Sequence, residues 1–104
     1  MKNKPFIALS ALLFTVGSTS SMASNNVCSL IDIYAKNVME IRQMGGSMSD
    51  LMGMVDDGDY KDLYETIIIS AFEVPRYNTE KNKQNAISDF TNKQYLECVK
   101  AYKD

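Results

Sequence analysis

Two cysteines, Cys28 and Cys98, constrain the fold of this chain of 104 residues more than any other feature. They are the only cysteines, so a disulfide between them leaves no choice of pairing. Such a bond closes a loop of about seventy residues, which contributes about 4 kcal/mol to stability in the chain-entropy model. The start and the end of the folded domain must then lie side by side. The alternative is a pair of free thiols that bind a metal or act as a nucleophile, although the chain has no histidine to activate them.

The first residues predict export, and export favours the disulfide. Lys2 and Lys4 precede an apolar run, Phe6–Val16, which has the length of a signal-peptide core and is too short to cross a bilayer. Small residues follow up to Ala23, after which we predict cleavage. The chain thus divides into a signal peptide, residues 1–23, and a single helical domain, residues 24–104. We expect that domain in the periplasm or outside the cell, where disulfides persist.

Helical periodicity dominates the predicted domain. From residue 27 to residue 44 the apolar side chains repeat at helical spacing, and Gly45 and Gly46 end the pattern. The sequence therefore predicts an amphipathic first helix. Its predicted inner face consists of Leu30, Ile31, Tyr34, Val38 and Ile41. Its predicted outer face consists of Asp32, Lys36, Asn37, Glu40 and Gln43.

Two more helices are predicted between Gly46 and Pro75. Ser47 or Ser49 caps a short helix, because serine side chains accept hydrogen bonds from the first free amides of a helix. Asp59 is predicted to cap a third helix, which ends before Pro75 because the residue preceding a proline disfavours helical angles. The predicted inner face of this helix consists of Tyr60, Leu63, Tyr64, Ile67, Ala71 and Val74.

The last and longest predicted helix begins at Asn78 or Thr79. Its apolar stripe is interrupted by Thr91 and Gln94. The stripe consists of Ile87, Phe90, Cys98, Ala101 and Tyr102. The predicted fold class is therefore all-α: a small bundle of about four helices, three longer and one short, closed by one disulfide.

Five methionines lie within residues 39–54, and four of them are candidates for binding a partner protein: Met44, Met48, Met52 and Met54. Methionine forms adaptable apolar surfaces, and the glycines of this segment favour mobility. Two other interpretations stay open. The methionines fill irregular space in a small core, or their thioethers bind copper(I), which prefers soft ligands.

Two arginines join the candidate partner site. Arg42 borders the apolar face of the first helix, and Arg76 follows Pro75. A half-buried guanidinium group needs acceptors, so the structural interpretation pairs Arg42 with Glu73 or with loop carbonyls. The functional interpretation makes it an anchor for an anionic ligand. The six tyrosines suit either a small core or an interface.

Several classes of function are disfavoured. The acidic run at residues 56–59 lacks the alternating ligands of a calcium loop, and no histidine, nucleophile elbow or phosphate-binding glycine loop is present. We therefore expect no enzyme, no catalytic residue, no cofactor and no metal. The net charge of −2 becomes −4 once Lys2 and Lys4 are removed, which disfavours nucleic acid and anionic lipid as partners. Another protein is the expected partner, with no stable membrane association after signal cleavage.

A framework of residues between the two cysteines spans nearly the whole predicted domain. It consists of Cys28, Tyr34, Ala35, Val38, Met39, Arg42–Gly45, Ala71, Phe72, Pro75, Arg76, Phe90, Tyr95 and Cys98. This framework resembles a group of uncharacterised small exported helical proteins of proteobacteria and their phages. The resemblance implies an exported helical fold and assigns no site residue. We expect a non-enzymatic periplasmic binding protein of the immunity or inhibitor kind. The alternatives are an acid or envelope-stress chaperone and a copper(I) binder.

Overall fold

Four helices form the fold in a computed structural model that describes the backbone from residue 10 to residue 102 and side chains from residue 27 onward. The helices are α1 (Ser10–Met44), α2 (Met48–Gly53), α3 (Lys61–Phe72) and α4 (Glu80–Tyr102), and no strand occurs in this part of the chain. The all-α prediction is confirmed. Residues 1–9 of the predicted signal peptide lie outside the described residues, and its cleavage after Ala23 stays a prediction. Within the described range, no helix has both the length and the apolar character needed to span a bilayer.

The predicted disulfide is present and joins the two longest helices. Cys28 of α1 and Cys98 of α4 are bonded, with 5.6 Å between their Cα atoms. α1 packs against both α4 and α3, and α2 packs against α3. Both cysteines belong to the core, whose other buried members are Ile31, Ala35, Val38, Met39, Leu51, Ile67, Ile68, Ala71, Ile87 and Phe90. α1 is therefore the central helix.

The turn after α1 follows the predicted glycine signal. Gly45 has φ +90°, a left-handed conformation that L side chains rarely adopt. The amide of Gly45 donates to the carbonyl of Arg42 (3.1 Å), and the amide of Gly46 donates to that of Ile41 (2.9 Å). This pair of bonds is a Schellman motif, which satisfies free carbonyls at the helix end. It reverses the chain into α2, where the Ser47 hydroxyl accepts from the amide of Asp50 (3.2 Å).

Replacing Gly45 with alanine is expected to lower the free energy of unfolding by about 1–2 kcal/mol, because a Cβ is strained at positive φ. The added carbon would also lie 3.0 Å from the Arg76 guanidinium group. Gly53→Ala is the matched control, since a Cβ on Gly53 meets nothing within 4 Å. We expect the control to change stability by less than about 0.5 kcal/mol. Urea unfolding followed by circular dichroism measures both, and equal effects of the two variants would contradict this account.

The two later helix starts differ in how well the sequence predicted them. Thr79 caps α4, its hydroxyl accepting from the amide of Asn82 (3.2 Å), so the second of the two candidates is confirmed. The prediction that Asp59 caps α3 is wrong. Tyr60 occupies the cap position without a side-chain hydrogen bond, and α3 begins at Lys61. The reason is a turn in which the amide of Lys61 donates to the carbonyl of Gly58 (3.3 Å), which moves the helix start one residue on.

Several predicted faces need correction. Leu30, assigned to the inner face of α1, is 56% exposed, whereas Gln43, assigned to the outer face, is buried. Tyr60, Ala101 and Tyr102 are exposed, although each was placed on an inner face. Gln43 is buried because α1 contacts two helices and, at its end, the α3–α4 connection, so its buried side is wider than one apolar stripe. Tyr60 precedes α3, and Ala101 and Tyr102 end α4, so neighbouring helices cover these side chains incompletely. The buried residues that the predicted faces omitted are Cys28, Ala35, Met39, Gln43, Leu51, Ile68, Ala86, Thr91 and Gln94.

Candidate functional site

The methionine segment divides between core and surface. Met39 is fully buried, and Met48 and Met52 are partly buried against the core. Met44 and Met54 are 78% and 74% exposed. The core interpretation therefore fits Met39, Met48 and Met52, while Met44 and Met54 offer apolar surface. Their role in partner binding, and copper(I) binding by the segment, stay predictions.

Arg42 and Arg76 bind backbone carbonyls of their own chain. Arg42 Nε donates to the carbonyl oxygen of Val74 (3.0 Å), and its guanidinium carbon lies 5.1 Å from the centre of the Phe72 ring. The loop-carbonyl interpretation of Arg42 is thus confirmed, and the pair with Glu73 is not formed among the described side chains. Arg76 Nε donates to the carbonyl of Gln43 (3.1 Å). Both arginines connect the end of α1 to the segment between α3 and α4.

Gln43 is the centre of this connection, although the sequence pattern placed it on the outer face of α1. The side chain is 1% exposed; its Nε2 donates to the carbonyl of Pro75 (2.9 Å), and its Oε1 accepts from the amide of Tyr77 (2.8 Å). Its own carbonyl accepts from Arg76 and from Lys83 Nζ (2.6 Å). Two cations at the end of α1 offset the negative end of the helix dipole. No periodicity in the sequence distinguishes this glutamine from the solvent-facing residues around it.

Two open grooves lie on either side of the start of α3, separated by a ridge that we define as Asp59 and Tyr60. The first, the loop groove, encloses about 420 Å³ between the 55–60 loop, α1 and α3. The second, the helix groove, encloses about 610 Å³ between α3, α4 and α1. Because both ridge residues line both grooves, the two form one continuous face. Besides the ridge, this face is lined mainly by Tyr34, Leu51, Met54–Gly58, Lys61–Tyr64, Gln94, Glu97, Cys98, Ala101 and Tyr102.

Three tyrosine rings form a row on this face. The ring centres of Tyr34 and Tyr64 are 4.4 Å apart, and those of Tyr64 and Tyr60 are 6.4 Å apart, all at tilted angles. Burial raises the pKa of the Tyr34 phenol, and the neighbouring Tyr64 adds to that shift. Tyr60, at the outer end of the row, is 41% exposed. The row thus runs from a partly buried ring to one that a partner can contact.

The face is strongly acidic. Its carboxylates come from Asp56, Asp57, Asp59, Asp62 and Glu97. Lys61 is the basic residue among the described lining, and its ammonium group is paired with the carboxylate of Asp57 at 3.3 Å. That hydrogen bond, together with the charge of Asp57, raises the pKa of Lys61. The face therefore has an excess of negative charge around exposed aromatic and methionine side chains.

In the sequence, the acidic run at residues 56–59 departs from the pattern of a calcium loop and is explained mainly by the predicted helix cap at Asp59. Across the described side chains, no three histidine, cysteine or carboxylate residues are grouped so that they could hold a metal ion. The signal that could have indicated a protein-binding face is the neighbourhood of this acidic run and the tyrosines at 60 and 64. Sequence alone did not show that Tyr34, Gln94 and Glu97 lie on the same face.

Comparison of the chain with models of protein families, with curated proteins and with solved structures finds no match. The structure itself defines the class: a small all-α bundle in which a disulfide joins the first and last helices. The resemblance to exported helical proteins of proteobacteria and phages stays a prediction.

Proposed function

We propose that the protein is an exported, non-enzymatic binding protein that recognises a basic partner protein through the acidic face. The observation that carries this proposal is the ridge of Asp59 and Tyr60 between two grooves, where the one basic lining residue in the described part of the chain is already paired. The immunity-like or inhibitor-like class expected from the sequence fits this description. Export itself is part of the proposal, supported by the N-terminal sequence pattern and the disulfide.

Side-chain chemistry supports a protein partner. Tyrosine and methionine are enriched at protein interfaces, and tyrosine supplies a large contact area with little rotamer freedom to lose. Tyr60 and Met54 are exposed on this face. The Tyr60 ring packs near that of Tyr64, which in turn packs against Tyr34. An anchor of this kind, surrounded by polar groups, is the usual composition of an interface hot spot.

Charge supports a basic partner. Complementary potentials steer association and exclude partners of the wrong sign, and their effect on the association rate falls with added salt. The carboxylates around the ridge are surface groups, so they act mainly on rate and selectivity while the aromatic contacts supply affinity. The chaperone and copper(I) alternatives stay predictions that no contact described above favours.

Photo-crosslinking from the ridge tests the proposal. A benzoylphenylalanine at position 60, introduced in the native host, is expected to give a discrete adduct with a protein whose surface is basic, identified by mass spectrometry. Tyr95 is the matched control position, since it is also 41% exposed but lies on another face of α4. We expect no such adduct from position 95.

Calorimetry on the purified pair then measures the contribution of the face. Tyr60→Ala is expected to weaken binding about tenfold or more, as for an interface anchor. Asp59→Asn is expected to slow association and to reduce its salt dependence. Tyr95→Ala and Asp89→Asn, both away from the face, are the controls. An acidic partner, or equal losses in the controls, would refute the proposal.

A further inference from the structure

Among the described side chains three polar ones are buried, and one of these differs from the other two. The amide of Gln43 is bonded to Pro75 and Tyr77, and the hydroxyl of Thr91 donates to the carbonyl of Ile87 (2.7 Å). Gln94 is 8% exposed, yet its side chain makes no hydrogen bond to any other residue in the described range. Buried polar groups almost always have a partner, so an unpartnered amide calls for an explanation.

The amide of Gln94 lines the helix groove, and the groove around it has a consistent chemistry. Three carboxylates surround the opening, from Asp59, Asp62 and Glu97. The apolar part of the wall comes from Ile31, Leu63 and Ala101, and two phenol rings, Tyr60 and Tyr102, complete it. Among the described lining residues none is basic. The volume of about 610 Å³ lies within the usual range of ligand sites.

We propose that the helix groove binds an arginine side chain of the partner. Its guanidinium group lies between the carboxylates and the side-chain amide oxygen (Oε1) of Gln94. A guanidinium group has five donors in one plane and no acceptor, so it suits a site that offers carboxylate and amide oxygens. Its methylene groups pack on the apolar wall, and its plane stacks on a tyrosine ring. Lysine fits less well, because its ammonium group is more strongly hydrated and does not stack.

This inference rests on the proposed function. It identifies arginine as the residue of the basic partner that the acidic face recognises. It accounts for the buried side chain of Gln94, whose amide oxygen accepts a hydrogen bond from the charged guanidinium group when the partner binds. It also accounts for the mixed composition of the groove, since carboxylates alone would not need an apolar wall. The ridge residues Asp59 and Tyr60 belong to both grooves, so the arginine inserts beside the contact made by Tyr60.

Nuclear magnetic resonance titration of the oxidised protein with N-acetyl-L-arginine amide tests the inference without the partner. We expect saturable shifts of the Gln94 side-chain amide and of Glu97, with a dissociation constant on the order of 1 mM for a ligand of this size. The citrulline analogue has the same shape and no charge, and the lysine analogue has charge without the planar fork. Both are expected to bind more weakly, citrulline by about tenfold or more. Equal binding of citrulline overturns the inference.

Two variants separate binding from folding. Glu97→Gln and Gln94→Met are each expected to weaken arginine amide binding by about fivefold or more, since each removes an acceptor of the guanidinium group. Glu73→Gln, on an exposed residue outside the groove, is the control and should bind as the unmodified protein does. Gln94→Met is also expected to raise the melting temperature, because it removes an unpartnered buried amide. Unchanged binding in both variants, or a lower melting temperature for Gln94→Met, contradicts the assignment.

The two proposals can fail separately. If position 60 crosslinks a basic partner while arginine amide leaves Gln94 unshifted, the binding function stands and the arginine assignment falls. If arginine amide binds with the expected variant profile and position 60 gives no basic partner, the groove stands as a guanidinium site and the proposed function falls.

Discussion

Replacing Cys28 and Cys98 together with alanine is expected to lower the free energy of unfolding by about 4 kcal/mol, the value for a loop of about seventy residues in the chain-entropy model. The bond joins residues 70 apart, so the oxidised unfolded chain is restricted over most of the domain. Both side chains are buried, and alanine avoids placing an unpaired hydroxyl there. Typical domains have only about 5–15 kcal/mol of stability, so the loss takes a large part of the total. Urea unfolding monitored by circular dichroism at equilibrium measures it.

The reduced form of the unmodified protein is the internal control for this experiment. With its thiols kept reduced, it should unfold at nearly the same urea concentration as the double alanine variant, because both lack the cross-link. The oxidised unmodified protein should unfold at a clearly higher concentration. A double variant within about 1 kcal/mol of the oxidised protein would show that the cross-link does not determine stability.

Gln43→Met is expected to lower the free energy of unfolding by about 2–3 kcal/mol, since the variant keeps the shape of the side chain and loses its hydrogen bonds to Pro75 and Tyr77, besides a weaker one to the Met39 sulfur (3.5 Å). The partners left without Gln43 are the carbonyl of Pro75 and the amide of Tyr77, both in the connection between α3 and α4. That connection should loosen locally, so hydrogen exchange at the Tyr77 amide should become faster. Urea unfolding and hydrogen exchange together measure the effect.

Gln84→Met is the matched control for Gln43. Gln84 is exposed, and among the described residues its side chain donates to Glu80 alone, one turn earlier on the same helix, at 2.9 Å. Such surface pairs contribute little, so we expect a change of less than about 0.5 kcal/mol and no change in exchange at Tyr77. If the two glutamine variants lose equal stability, the end of α1 does not depend on the buried amide.

Local signals predicted the end of α1 and the starts of α2 and α4, whereas α1 begins at Ser10, before residue 27, where its predicted pattern starts. Gly45 adopts the left-handed conformation that ends α1, and the hydroxyls of Ser47 and Thr79 cap α2 and α4. These features involve residues three or four apart, so the sequence contains nearly all the necessary information. Asp59 fails as a cap because the preceding turn at Gly58 decides which residue reaches the cap position. Helix boundaries commonly shift by one or two residues for such reasons.

The candidate site was predicted less well than the fold. Residue type alone suggested methionines and arginines as the site, whereas Arg42 and Arg76 bind backbone carbonyls and Met48 and Met52 pack against the core. The acidic face combines residues of α1, the 55–60 loop, α3 and α4. No sequence spacing relates Tyr34 to Tyr64 or Asp59 to Glu97. They line the same face because α3 and α4 both lie against or beside α1 in the packed bundle.

The sequence by itself determined the helical periodicity, most helix ends and the pairing of its two cysteines, because each depends on neighbouring residues or on the cysteine count. Only the tertiary structure decided which side of each helix is buried and which polar groups find partners. It buried Gln43 with hydrogen bonds, and Gln94 without a side-chain hydrogen bond to any residue that the structure describes, although both are glutamines within helices. The reason is that burial of a side chain depends on every helix that packs around it, and local spacing describes only one of them.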